Sequence, residues 1–253
     1  MAHKYEFKGL LRWSLKKLDD HSAEIRSQFI SRLGDLGGRL FTLSAQLQMS
    51  SLTTLIEDLW IQDIQSSDLT QSQKAFEAAL DVAELSPIHR QFHGKVYYAY
   101  LKVILKHNKS ASIPAENPVM YINHASSKLN GERTNRLYGG FWSLSQLQLR
   151  LSVPPQLKID CPCSSLAPSC AVAWDEWWNE KLRSLNPPPQ DPGDLLQRIH
   201  VLGQSGICRV KRPGDYYIHN TMVPCSSRMV AQLEKMMKTF DDTLPDHFMI
   251  PLE

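Results

Sequence analysis

The sequence predicts a mostly α, α+β protein: a helical region over residues 1–112, then a smaller α+β region over 113–253 with few short antiparallel strands. Three observations predict it. Apolar residues recur at three- and four-residue spacing through the first region. Prolines, asparagines and glycines crowd residues 110–136 and break that period. Further on, Leu147, Leu149, Leu151 and Val153 alternate with polar residues, the pattern of a half-buried strand. One shared core or two are both compatible with this pattern.

The helical elements follow in order. Leu10, Leu11, Trp13, Leu15 and Leu18 form a short apolar face. Ser22 suits a helix cap, and Ile25, Phe29, Ile30 and Leu33 follow at helical spacing. After Gly34, Gly37 and Gly38 mark a break, Leu40, Leu43 and Leu47 resume the period. Ser51 opens a run with Leu55, Ile56, Leu59 and Trp60 on one face, and Thr70 opens another that is rich in good helix formers. Ser86-Pro87 starts the next helix, with serine at the cap and proline in the first turn.

The second region reads differently. Val119–Ile122 is a short strand candidate among turns, and Gly139-Gly140 precedes the alternating strand, which Pro154-Pro155 ends. Residues 173–185 read as a helix closed by Asn186 and three prolines. Ile207–Arg212 and Tyr216–His219 flank a Pro-Gly-Asp turn, a hairpin pattern. Ser226 or Ser227 opens a Met-rich amphipathic helix to Phe240, with a partly ordered tail expected after it.

Composition narrows the function classes. Hydrophobic content of 42% and charged content of 21% permit a real core and argue against wholesale disorder. No run approaches ~18 uninterrupted apolar residues, so no membrane span is expected. The first twenty residues carry no signal-peptide pattern, which points to the cytoplasm or nucleus. Five cysteines then read as reduced thiols or metal ligands. Phosphate loops, GxGxxG turns, GxSxG elbows and HExxH are all absent. Binding is therefore expected ahead of catalysis.

Charge is unevenly placed. Residues 51–84 hold seven acids and one base, whereas 85–115 hold five bases and no acid. On a helix, Lys95, Lys102, Lys106 and Lys109 share one face, with Tyr98 in the same stripe. Such a stripe can neutralise phosphates and offer a ring for stacking. Arg209, Lys211 and Arg212, before Pro213-Gly214, could form a basic wing. The expectation is a non-enzymatic nucleic-acid-binding accessory protein, RNA or DNA, that self-associates as a homo-oligomer through its acidic and basic faces. The plainer reading of the stripe is a solvated face paired with the acidic helix before it.

Two further clusters stand out. Cys161, Cys163 and Cys170 lie within ten residues, and Cys208 could complete a four-ligand zinc site. Plain structural thiols are the alternative. Trp174, Trp177 and Trp178 fall at helical offsets 0, 3 and 4. That aromatic face either packs into the core or, with the Met-rich helix 226–240, docks a partner protein, the second being the mode of an interaction adaptor or structural subunit. His89 and His93, four apart, could chelate a metal, but no acid lies between them.

Overall fold

A computed structural model describes residues 33–46, 48, 50–65, 68–85, 89–110, 129–151, 153–156, 174–180 and 226–249, with isolated positions 9, 13 and 17. The chain divides into two compact units, Met1–Ala115 and Glu116–Glu253. The protein is mostly α: every regular element among the described residues is a helix, and none is a strand. No helix among them is long and apolar enough to cross a membrane.

The first unit contains α1 (Leu33–Gln46), α2 (Ser50–Ile64), α3 (Leu69–Ala83) and α4 (Arg90–Ser110). Asp68 caps α3, its Oδ1 accepting from Thr70 N at 2.9 Å, two residues before the expected opening. Gln48 turns the chain between α1 and α2 in the left-handed region, φ 55°. Helix α4 packs on α2 and α3, and α1 packs on the same two helices. Helix α3 buries Ala75, Ala79 and Ala83 at four-residue spacing, leaving room for close neighbours. At Gly38 of α1 a Cβ would stand 2.9 Å from Val82 Cγ2, so this glycine lets α1 approach α3.

The core of this unit is aromatic. Phe41, Trp60 and Phe92 stack around one another at 4.8–5.7 Å between ring centroids. Phe76 lies flat on Tyr100 at 4.2 Å and meets Tyr97 edge-on at 5.3 Å. All six rings are essentially fully buried. Each such side chain contributes about 1.5–3 kcal/mol through burial, and the ring pairs add to that.

The second unit contains α5 (Gly131–Leu151), helical residues 174–180 (α6) and α7 (Ser226–Phe248). Asn130 caps α5, accepting at Oδ1 from Arg133 N at 2.8 Å, so the expected Asn-Gly turn is a helix start. The α+β expectation is corrected here. Leu147, Leu149 and Leu151, read as a strand, are the last turns of α5, and Val153 lies just beyond them. Alternation at two residues also places 147 with 151, and 149 with 153, four apart, so it fits a helix equally well. Leucine, glutamine and arginine are strong helix formers, and that preference decides the matter.

Helix α7 also runs past the expected boundary at Phe240. Phe240, Leu244 and Phe248 are buried at four-residue spacing and carry the helix on through Pro245. Met249 N donates to Pro245 O at 2.9 Å to close the last turn. The Val119–Ile122 strand candidate and the 207–219 hairpin lie outside the described residues.

Candidate interaction surfaces

Helix α4 sits so deep that residues 92–94, 96–101, 104 and 105 are all buried. What remains toward solvent is Arg90, Gln91, Lys95, Lys106 and His107, with Lys102 half-buried. The lysine stripe is thus the outer edge of a central helix. Lys95 Nζ donates to Glu57 Oε2 of α2 at 2.9 Å. A largely exposed pair of this kind is worth about 0–1 kcal/mol, but it sets a carboxylate beside the first cation of the stripe. Tyr98 is only 3% exposed and is not offered for stacking. Instead Lys102 Nζ sits 5.1 Å from the centroid of its ring, a cation–π contact. Lys109 lies on α4, with its side chain outside the described residues, as are Arg209, Lys211 and Arg212.

His89, just before α4, and His93 on it face inward. His89 tilts against Phe41 at 4.4 Å between ring centroids, and burial lowers its pKa against the opposing pull of Glu57. His93 Nε2 lies 3.7 Å from Glu84 Oε1. No group of three or more His, Cys, Asp or Glu among the described residues could hold a metal. The zinc candidates Cys161, Cys163, Cys170 and Cys208 lie outside them.

The tryptophans of α6 turn inward rather than toward a partner. Trp174 and Trp178 are fully buried and Trp177 nearly so, with centroids 5.4–6.3 Å apart. Trp178 Nε1 donates to Leu151 O at 3.0 Å, and Trp174 Nε1 to Pro155 O at 2.9 Å. Gln232 Nε2 of α7 donates to Gln156 O at 3.1 Å. The proline-containing stretch after α5 therefore has its carbonyls satisfied by side chains. Leu151 O is one of the carbonyls that a helix end leaves without an intrahelical donor.

Helices α5 and α7 pack on each other, and two of their contacts are specific. The ring of Phe248 fills the space at Gly140. Ser143 Oγ and His247 Nδ1 share a hydrogen bond at 2.7 Å. Burial lowers the pKa of His247, as it does that of His89. Both histidines are thus held neutral below the unfolded value of 6.5. As pH falls through 6.5 and below, the unfolded chain takes up these protons first, and stability is lost. The melting temperature is expected to drop between pH 7 and pH 5, and His89→Gln with His247→Gln to flatten that drop. Asp63, whose pKa burial raises, acts in the opposite sense, adding stability as pH falls.

The outer face of α5 carries the feature that sequence reasoning missed. Trp142 is 57% exposed, Leu149 63% and Val153 64%. Exposed Asn135 and Gln146 lie on the same face. On α5, positions 142, 146 and 149 follow a 4-3 spacing, that of a helix–helix seam, and Val153 lies just past the helix end. Reading the segment as a strand split these residues between two faces. The seven-residue interval from Trp142 to Leu149 was the available signal.

No family model, no curated protein and no solved structure matches this chain.

Proposed function

We propose that the protein is a non-enzymatic interaction subunit that docks another protein on the outer face of α5. The carrying observation is Trp142 and Leu149, large apolar side chains exposed on one face of an otherwise well-packed helix, with Val153 exposed just past its end. Single exposed apolar residues are ordinary, whereas an aligned group containing tryptophan suits an interface core. The Trp174/Trp177/Trp178 face serves packing instead, so the docking role moves from α6 to α5.

Nucleic-acid binding through α4 is the second reading, supported by Lys102, exposed Lys106 and the absence of acids from 85–115. It is the narrower of the two, since Tyr98 is buried and Lys95 pairs with Glu57. Capture from cells of the source organism separates them. Wild-type protein is expected to recover a protein partner that Trp142→Ala and Leu149→Glu lose, with melting temperatures close to wild type because both positions are exposed. Recovery of RNA or DNA instead, falling steeply with salt and abolished by Lys102→Glu with Lys106→Glu, would transfer the function to α4.

Zinc at Cys161, Cys163, Cys170 and Cys208 rests on cysteine spacing alone. About one equivalent per chain in protein purified without chelators supports it, and less than about 0.2 equivalents rejects a tight four-ligand site.

A further inference from the structure

We infer that the partner element on α5 is an amphipathic α-helix with acidic flanks. This rests on the proposed role of α5 as a docking face and adds the chemistry of what docks. The first ground is geometric. On α5, positions 142, 146 and 149 have the 4-3 spacing of a helix–helix seam, with Val153 exposed just past the helix end, and a helical partner matches that spacing. A strand, with period two, would meet the seam at one side chain and miss the next. Gln146 sits exposed in the middle of this apolar row, where a polar side chain fixes the register of two helices.

The second ground is charge. After Glu132, α5 carries Arg133, Arg136 and Arg150 and no acid. Glu132 answers Arg136 at 2.6 Å, within the same turn. Arg150 is exposed and follows Leu149 directly, at the edge of the seam. A partner helix with Glu or Asp beside its apolar row places carboxylates against this edge. One with lysines there places cation against cation.

The third ground concerns a second copy of this chain. The exposed parts of Trp142, Leu149 and Val153 fall well short of the ~800 Å² per partner that a stable interface needs. Two copies of α5 also meet with like net charge, since Arg133, Arg136 and Arg150 outnumber Glu132 on each. A helix of another protein, flanked by acids, meets neither difficulty on the charge side. It also suits the transient, modest affinity that a short seam supports.

Arg150 lies in the last turn of α5, where it also complements the negative end of the helix dipole. The test must therefore separate a stability role from recognition. Two fluorescein-labelled helical peptides share one leucine seam and differ only in Glu or Lys flanks. Each is titrated with the full chain and read by anisotropy. The Glu-flanked peptide is expected to bind about fivefold more tightly at low salt, with the gap closing as salt rises. Leu149→Glu is expected to abolish binding of both peptides. Arg150→Glu is expected to remove or invert the preference, which a change in stability alone would not do.

Equal binding of both peptides, still lost in Leu149→Glu, overturns the acidic-helix inference and leaves α5 as a docking face. Binding that ignores Leu149→Glu removes both. Failure of the full chain to bind either peptide overturns the inference. So does a dimer in sedimentation that Trp142→Ala dissolves, because it gives this face to a second copy.

Discussion

Trp178→Ala is expected to cost about 3–5 kcal/mol, a large share of the roughly 5–15 kcal/mol that holds an ordinary domain folded. The side chain is fully buried, touches Trp174 and Trp177, and holds the end of α5 through Leu151 O. Truncation removes the burial, both ring contacts and the donor to that carbonyl. A conservative pair of substitutions separates these terms. Trp178→Phe keeps most of the apolar volume but leaves Leu151 O without the indole N–H, at about 1–3 kcal/mol. Trp177→Phe is expected to cost less, because Trp177 Nε1 is buried and finds no acceptor among the described residues. Urea midpoints of the two phenylalanine variants give the comparison. Equal losses would show that the bond to Leu151 O contributes nothing.

That contrast bears on what the sequence could disclose. The 0, 3, 4 spacing of the three tryptophans does put them together on one helix, as periodicity alone requires. Whether such a face points into the protein or out of it depends on what lies opposite, and spacing is silent on that. The opposing groups here include the carbonyls of Leu151 and Pro155, backbone atoms that no sequence pattern marks. The lysine stripe has the same limit. Its alignment on α4 is a matter of arithmetic, but the pairing of Lys95 with Glu57 spans 38 residues and needs the packed helices to appear.

Helix starts were more readable, because caps are local. Ser50 begins α2 one residue before the serine expected to open it, and α3 begins at Leu69 beside the predicted Thr70. The alternating leucines were misread for a physical reason already visible in the chain: a two-residue period contains a four-residue one. That error hid the outer face of α5, since a strand assigns Trp142 and Leu149 to opposite sides. Gly139-Gly140, expected to precede that strand, lies inside α5, where Gly140 leaves room for a ring contributed 108 positions later in the chain.

Gly140→Ala tests that explanation, because two effects of opposite sign meet at the site. Alanine in a helix interior is favoured over glycine by about 1 kcal/mol where nothing else intervenes. At Gly140 a Cβ would overlap the ring of Phe248. Phe248 is itself 1% exposed, so its ring has little room to swing aside. Overpacking of this kind costs about 1–3 kcal/mol and also strains the neighbouring Ser143–His247 hydrogen bond. The steric term is therefore expected to win, and Gly140→Ala to lower the urea midpoint. Gly131→Ala, where a Cβ meets nothing within 4 Å, is expected to hold or raise the midpoint, for a stability gain of up to about 1 kcal/mol. Phe248→Leu in the Gly140→Ala background should recover part of the loss, because the smaller side chain vacates the overlap. The interaction term of that double-mutant cycle is the decisive quantity. A Gly140→Ala variant stabilised to the same degree as Gly131→Ala would mean that Phe248 does not seat on this glycine.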